Sequence, residues 1–529
     1  MWKYRTIYIT LRTIFKETIM KRLKTMLLAA AFTMTAGTAM AGGILHNTTH
    51  SVRYLRMMAR DGAIAIDGVY YNPAGVAFLP KGWHFSFSGM NVYQTRTIFS
   101  GMNVQGLEGT PYYQPFKMFG GDENGVKKFK GTTSVPIMPA IQVAKNYDKW
   151  GFQGAFGVSG GGGKCTFNDG LGSFERTIAM IPAMLYKQGM GSRTPSYSVD
   201  SYVHGQQYVF GLQLGATYKV NDNIALYGGM RFNYSTNEYE GSITNITAKV
   251  GDIDENLYNF FGAKAETMKQ MAFYYKMRAS EMTNPEDKAK YDAMSKTYEA
   301  NAKKMDVTRG QFADKYLDCT QSGWGITPII GVDLKYGNLN IGAKYEFKTN
   351  INMENKTKVD DTGMFKDGVN TPGDLPALLT VGAEYSLLPS LRLGLGYHLY
   401  FDKDSDMDKD KQKELSGNSQ EFVAGVEYDI NKYVQVSCGW QYTHFGLGEG
   451  GYMSDMSYVL SSNSIGFGAG YQITKNTKIN VAYMYTWYNT FDKSYTQNFG
   501  TEKAPIMVDC TDKFKRTNKV FGVGVEVSI

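Results

Sequence analysis

From residue 83 to residue 529, apolar and polar positions alternate with a period of two in about fourteen short runs. That period marks a strand whose two faces meet different surroundings. Leu391, Leu393, Leu395, Tyr397 and Leu399 share one face; Arg392, Gly394, Gly396 and His398 share the other. Leu339, Ile341, Ala343, Tyr345 and Phe347 likewise oppose Asn340, Gly342, Lys344 and Glu346, and Phe521, Val523, Val525, Val527 and Ile529 oppose Gly522, Gly524, Glu526 and Ser528. Connections after even-numbered runs are tight, at 146–149, 220–222, 337–338, 387–390, 429–431 and 474–475, whereas those after odd-numbered runs are long. Turns on one rim, loops on the other and an apolar face on every strand predict a transmembrane β-barrel rather than a soluble sandwich. Tyr428, Trp440, Tyr442, Tyr483, Tyr485 and Trp487 cluster near strand ends, as an aromatic girdle would.

Composition agrees. Among 529 residues are 59 glycines and 38 tyrosines, and mean hydropathy is only −0.33. Beyond the N-terminal segment no run approaches the ~20 apolar residues a membrane helix needs, so the backbone must be satisfied by closing a sheet. The net charge of +7 is spread thinly without a basic stripe, which argues against a nucleic-acid partner. Lys21, Arg22 and Lys24, an apolar stretch at 26–35 and Ala39-Met40-Ala41 predict a signal peptide, with Gly42 as the mature start and an extension ahead of Met20. Cys165, Cys319 and Cys510 fall in expected loops and Cys438 on a lipid-facing strand surface; a bridge between two loop cysteines is left open.

The inward face is rich in glycine with scattered charges (Arg231, Lys344, Glu346, Glu384, Arg392, Glu427, Glu526), unlike the charged rings of a wide aqueous pore. Glycine admits a second backbone at close range, so the lumen is expected to hold a plug; relief of crowding in a tilted barrel is the alternative. The plug candidate is 42–82. It carries a small, apolar stretch from Ala59 and then Asn72-Pro73-Ala74-Gly75, where Asn and Pro favour a turn.

Asn72-Pro73-Ala74-Gly75, preceded by that small-residue stretch and followed by a first strand at 83–92, resembles the N-terminal hatch of the FadL family. These are outer-membrane transporters of long-chain fatty acids and other hydrophobic compounds. Pro376-Ala377-Leu378-Leu379-Thr380-Val381-Gly382 and Ile465-Gly466-Phe467-Gly468-Ala469-Gly470-Tyr471 read like strands of the same family. The resemblance implies an all-β, 14-stranded antiparallel barrel (83–529) with the hatch inside, in a Gram-negative outer membrane. It implies passive entry of cargo from the loops and exit through a gap in the wall at the third strand. It implies no enzyme activity and no cofactor. The partners it implies are a hydrophobic substrate, outer-membrane lipid and lipopolysaccharide, and the barrel-assembly machinery, around a monomer. Ile44-Leu45-His46-Asn47 and the loops depart from the family pattern, so fold and mechanism carry over better than cargo; aromatic hydrocarbons or haem are alternatives, as is a structural or adhesive barrel.

Three sets of residues are expected to matter. Gly151, Gly154 and Gly157 in the third strand mark the lateral opening, because glycine permits bends. The loop at 241–321 holds two helices, at 256–282 and 286–305, joined by Thr283-Asn284-Pro285. Met268, Met271 and Tyr275 on one, with Met294 and Tyr298 on the other, offer an adaptable landing surface, or simply pack together. Arg231, Lys344 and Arg392 offer cations to a cargo carboxylate, or pair with nearby glutamates. Gly157-Val158-Ser159-Gly160-Gly161 has the spacing of a hydrolase elbow without its strand-to-helix context. The alternating aspartates 402–410 lack the turn glycine and final glutamate of a calcium loop. His46 and His50 have no supporting metal ligand nearby in sequence.

Overall fold

The computed structural model describes residues 44–187, 189–500, 502 and 504–529; the expected signal peptide and Gly42 lie outside the described residues. The strand segments are β1 (Gly82–Val104), β2 (Val126–Asn146), β3 (Trp150–Phe167), β4 (Tyr197–Lys219), β5 (Ile224–Val250), β6 (Ile253–Asn256), β7 (Lys315–Tyr336), β8 (Leu339–Glu346), β9 (Asn352–Asp360), β10 (Asn370–Pro372), β11 (Leu378–Leu388), β12 (Leu391–Tyr400), β13 (Ser419–Asp429), β14 (Val434–His444), β15 (Ser462–Gln472), β16 (Thr477–Tyr488), β17 (Phe491–Asn498) and β18 (Met507–Ser528). Three pairs, β8 with β9, β10 with β11 and β16 with β17, are single wall strands interrupted once, and β6 is a short return on β5. The wall therefore has 14 antiparallel strands. It closes where β1 pairs with β18, from His84↔Ser528 to Val104↔Val508. Closure leaves no strand edge for lipid to strand.

The outward face explains why these residues choose a barrel. Phe87, Phe152, Leu214, Met230, Ile330, Leu395 and Phe467 are all exposed, a contiguous apolar surface that only lipid can cover. Tyr147, Trp150, Tyr336, Tyr433 and Tyr471 ring the short-turn rim, and Tyr234, Trp324, Trp440 and Trp487 ring the other end of the apolar band. Tyr433 and Trp440 lie seven positions apart near and along β14, about 23 Å of strand, which matches the apolar band of an outer-membrane barrel.

The strands rise further than alternation suggests. β3 continues to Phe167, β5 to Val250, and β7 already begins at Lys315, so the loop expected at 241–321 is partly strand. Above the membrane the outward face no longer needs to be apolar. Alternation fades there while the hydrogen-bonded ladder continues. For the same reason Cys165, Cys319 and Cys510 lie in strand segments, not in loops; all three are buried free thiols, while Cys438 is exposed on the outer face.

Inside, the hatch contributes α1 (Val52–Arg56), α2 (Gly68–Tyr71) and a 3₁₀ turn, Gly75–Phe78. The long-loop end carries α3 (Gly172–Ala179), α4 (Ile181–Lys187), α5 (Leu257–Glu281) and α6 (Pro285–Gln311). Asn256 and Asn284 cap α5 and α6 by accepting from Asn259 N–H and Glu286 N–H, and Pro285 takes the first turn. α6 runs six residues past the expected 305.

Candidate functional site

The hatch is held by complementary surfaces rather than by chain connectivity alone. Ser51 starts α1 by accepting from Tyr54 N–H. Val52, Tyr54, Leu55, Met57, Met58 and Ala59 then form one apolar cluster with Met90, Val92, Met138, Val423, Met484 and Val520 of the wall. Each large side chain so buried contributes about 1.5–3 kcal/mol. The wall meets this segment at glycines. A Cβ on Gly466 would lie 1.8 Å from Leu55 O, one on Gly342 2.1 Å from Asp61 O, and one on Gly439 2.7 Å from Met58 N. Backbone lies against backbone, as the glycine-rich inner face predicts.

Asn72, Pro73, Ala74 and Gly75 form a knot between hatch and wall. Asn72 Oδ1 accepts from Gly75 N–H, while its Nδ2 donates to Ala63 O and to Asp333 Oδ2 on β7. Pro73 O accepts from Gln153 Nε2 on β3. Ala74 packs with Tyr227 and Ile329. A Cβ at Gly75 would sit 2.4 Å from Asn72 Nδ2.

Charges complete the attachment. Arg56 pairs with Glu427 at 3.0 Å and donates to Ser437 and Gln435; Arg53 pairs with Glu526 at 3.0 Å. His398 stands between Asp61 of the hatch and Glu421 of the wall, 2.9 Å from each. Arg60 grips Asp67 within the hatch.

The cations expected to meet a cargo carboxylate are engaged by the protein. Arg231 forms a two-point pair with Glu346 at 2.7 and 2.9 Å. Lys344 reaches the same Glu346 and Tyr70 O of the hatch. Arg392 bridges Glu427 and Asp429. Glu346, on the strand of Lys344 and two strands from Arg231, and Glu427 and Asp429, on the strand beside Arg392, put these charges to use inside the wall and against the hatch. Glu384, by contrast, makes no ion pair among the described residues. His46 and His50 are buried against Tyr400 and Tyr70, and His50 Nε2 meets Asn47 O. In the acidic loop, Asp402 is buried and accepts from Ser419 N–H, while Asp406 and Asp410 pair with Lys348 and Lys413.

The wall has a gap. β2 and β3 pair from Asn146↔Gly151 to Ala140↔Gly157, then not again until Thr132↔Thr166. Gly151, Gly154 and Gly157 thus lie in the paired wall below the gap, not in it. Gly157 faces His50, and Gly154 faces Leu214 and Val143. The bend comes higher, where Gly161 (φ +95°) and Gly163 (φ +68°) take conformations that L-residues avoid. There β3 leaves β2 and takes the hatch instead: Asn47 N–H donates to Ser159 O, Gly161 N–H to Leu45 O, and Asn47 Nδ2 to Val158 O. On the other lip, Val135-Pro136-Ile137-Met138-Pro139 spans the unpaired stretch of β2, and Ile137 is 72% exposed. Proline cannot donate to a ladder and sits at strand edges, so these two prolines were a legible signal for the gap.

Above the hatch is a cavity. Leu45, Met353, Phe365 and Met407 form its apolar part, and Gln207, Asn237, Gln321 and Lys411 its polar part. Outside, α5 and α6 pack along each other. Their bases join a cluster of Leu257, Phe261, Ala265, Met305 and Phe312 with Leu107, Ile178 and Leu185. Tyr275 stacks with Tyr298 at 5.4 Å and Tyr291 at 6.2 Å, and Met268, Met271 and Met294 are partly buried. The expected landing residues therefore lie largely in the seam between helices. The exposed large apolar side chains of the pair are Phe273, Tyr274 and Met277 on α5 and Val307 on α6.

No family model matches the chain, and no curated protein matches it by sequence. Among solved structures, it is similar to a FadL homologue of Pseudomonas aeruginosa, with 12% identity, 92% of this chain and 99% of that one covered, and a TM-score of 0.57. The toluene transporters TodX of P. putida (12% identity, 88% and 94% covered, TM-score 0.46) and TbuX of Ralstonia pickettii (13% identity, 87% and 93% covered, TM-score 0.45) are matched more loosely. The likeness to the first, nearly end to end on both chains, identifies the fold as that of the FadL family.

Proposed function

We propose that this chain is a passive outer-membrane conduit for hydrophobic small molecules, with long-chain fatty acids as the first class to test. One observation carries the reading. The lumen is plugged, yet the wall between β2 and β3 is unpaired where the first residues of the hatch lie. A plugged barrel is closed along its axis, whereas movement of residues 45–47 away from β3 would join the lumen to the membrane interior. The apolar part of the cavity above supplies a waiting place, and the gap, bounded by 133–139 and 158–165, supplies the exit.

The test is a staple. Thr133 faces Cys165 across the upper end of the gap. Thr133→Cys therefore offers a disulfide with the native thiol. Oxidised, this variant should lose most uptake of labelled palmitate into cells, and reductant should restore it. Full uptake by the stapled protein would remove the lateral route. Failure of the unmodified protein to take up any fatty acid, hydrocarbon or haem would remove the conduit reading itself. It would leave a structural or adhesive barrel, for which the exposed Phe273, Tyr274 and Met277 are the favouring observation.

A further inference from the structure

The polar end of the cavity above the hatch has a defined sense. Asn355 Nδ2 donates to the backbone carbonyl Lys366 O, which can only accept. Its Oδ1 therefore faces the other way and accepts from Gln321 Nε2 at 2.8 Å; Gln321 Oε1 in turn accepts from Asn237 Nδ2 at 3.0 Å. One backbone carbonyl thus orients three carboxamides, and the chain ends in Asn237 Oδ1, a buried acceptor with no partner among the described residues. Gln207 Oε1, on the neighbouring strand, is a second such acceptor. Both residues line the cavity, and they are 4% and 8% exposed.

The opposite side is a donor. Lys411, from the loop between β12 and β13, lines the same cavity with its ammonium buried and without an acceptor. Its nearest influences are Asp408, which also lines the cavity but forms no ion pair with it, and the face of Tyr452 at 5.6 Å. A buried polar group without a partner costs free energy that a ligand can recover. A hydrocarbon would recover none of it. A carboxylate would satisfy Lys411 but bring its own lone pairs against two carbonyl oxygens and Asp408.

We propose that this cavity is a head-group site for a hydroxyl-bearing amphiphile, of the kind a monoacylglycerol represents, whose hydroxyls donate to Asn237 Oδ1 and Gln207 Oε1 and accept from Lys411 Nζ. Hydroxyls both donate and accept, so one small polyol head meets all three groups. The acyl chain then lies against Leu45, Met353, Phe365 and Met407. Leu45 is the hatch residue whose carbonyl is bonded to Gly161 on β3, so the bound chain touches the segment that covers the wall gap. This deepens the conduit reading and rests on it.

The experiment compares dissociation constants of 1-monopalmitoylglycerol, palmitate and hexadecane for the purified full chain. The unmodified protein should bind the glycerol ester about tenfold more tightly than palmitate, the difference expected of about one additional satisfied hydrogen bond. Lys411→Met and Gln207→Met should each reduce that preference several-fold while leaving hexadecane binding unchanged. Lys411 lies on a loop, so its variant is the safer one should the strand substitution disturb folding, which heat-modifiable gel mobility reports. Equal or tighter binding of palmitate by the unmodified protein overturns the proposal, as does a preference that survives both substitutions. In either case hexadecane and palmitate binding would leave the conduit reading standing. Binding of none of the three would remove both.

Discussion

At the scale of single residues, the informative positions are those where the wall has no side chain. Gly466 lies against Leu55 O, with backbone on both sides of the contact. Gly466→Ala should cost about 1–3 kcal/mol through overpacking, read as a lower midpoint of heat-induced mobility change. Gly228→Ala, whose Cβ would meet nothing within 4 Å, should be near neutral. Equal effects would mean that the hatch does not press on β15. Asp402 matters for the opposite reason, a charged side chain fully buried in the loop between β12 and β13. Burial pushes its carboxyl up to about 6, against hydrogen bonds from Ser419 and Ile44 that favour the ionised form. A carboxyl whose folded value is raised favours the folded state at low pH. That advantage fades as pH rises from about 4 through 6, by up to about 3 kcal/mol. Asp402→Asn should flatten the stability profile over that window; an unchanged slope would show that Asp402 ionises freely.

At the scale of elements, the α5–α6 hairpin and the kinked β3 behave differently. Among the described residues, the hairpin joins the barrel-side apolar cluster at its base, through Leu257, Phe261, Met305 and Phe312. Replacing 266–304 by a short turn should therefore leave the barrel's midpoint unchanged and slow capture of a hydrophobic ligand; unchanged capture would exclude the hairpin as a landing site. β3 cannot be altered so freely, because its hydrogen-bond partner changes from β2 to the hatch at 158–161. Sequence marked both elements. For the hairpin, helical spacing and the Thr283-Asn284-Pro285 cap are local signals and placed the helices within a few residues at most ends. For β3, glycines were visible throughout, but which of them bend depends on the neighbour. Gly151, Gly154 and Gly157 have a β2 partner; residues 158–165 above them do not, and the signal that separates them lies on the other strand, at Pro136 and Pro139.

At the scale of the whole molecule, the hatch and barrel form one charge-matched body. Arg56, buried without exposure, holds Glu427, which also takes Arg392. Arg56→Ala should destabilise the hatch by about 1–3 kcal/mol, because Glu427 keeps Arg392 but loses its hatch cation, and Ser437 and Gln435 lose a charged donor. In planar bilayers the unmodified protein should pass no steady ion current, and this variant should show intermittent openings. A variant as silent as the parent would mean that the remaining contacts suffice to hold the plug.

Local pattern in the chain specifies the barrel, its short-turn and long-loop rims and its helical loop, and makes a plug the expectation, because period-two alternation, loop lengths, caps and turn residues are local. It leaves open what each inward charge faces, because cross-strand neighbours depend on register. For Arg231, Lys344 and Arg392 the sequence favours pairing with Glu346, Glu384 or Glu427 over a cargo carboxylate; only register and hatch position decided which glutamates, Glu346 and Glu427. The cavity polar groups were invisible for the same reason. Asn237, Gln321 and Asn355 are 118 residues apart at the extremes, and only the closed wall aligns their amides and brings Lys411 opposite them. Strand alternation states which way a side chain points. Closure of the sheet around a second backbone decides what it meets.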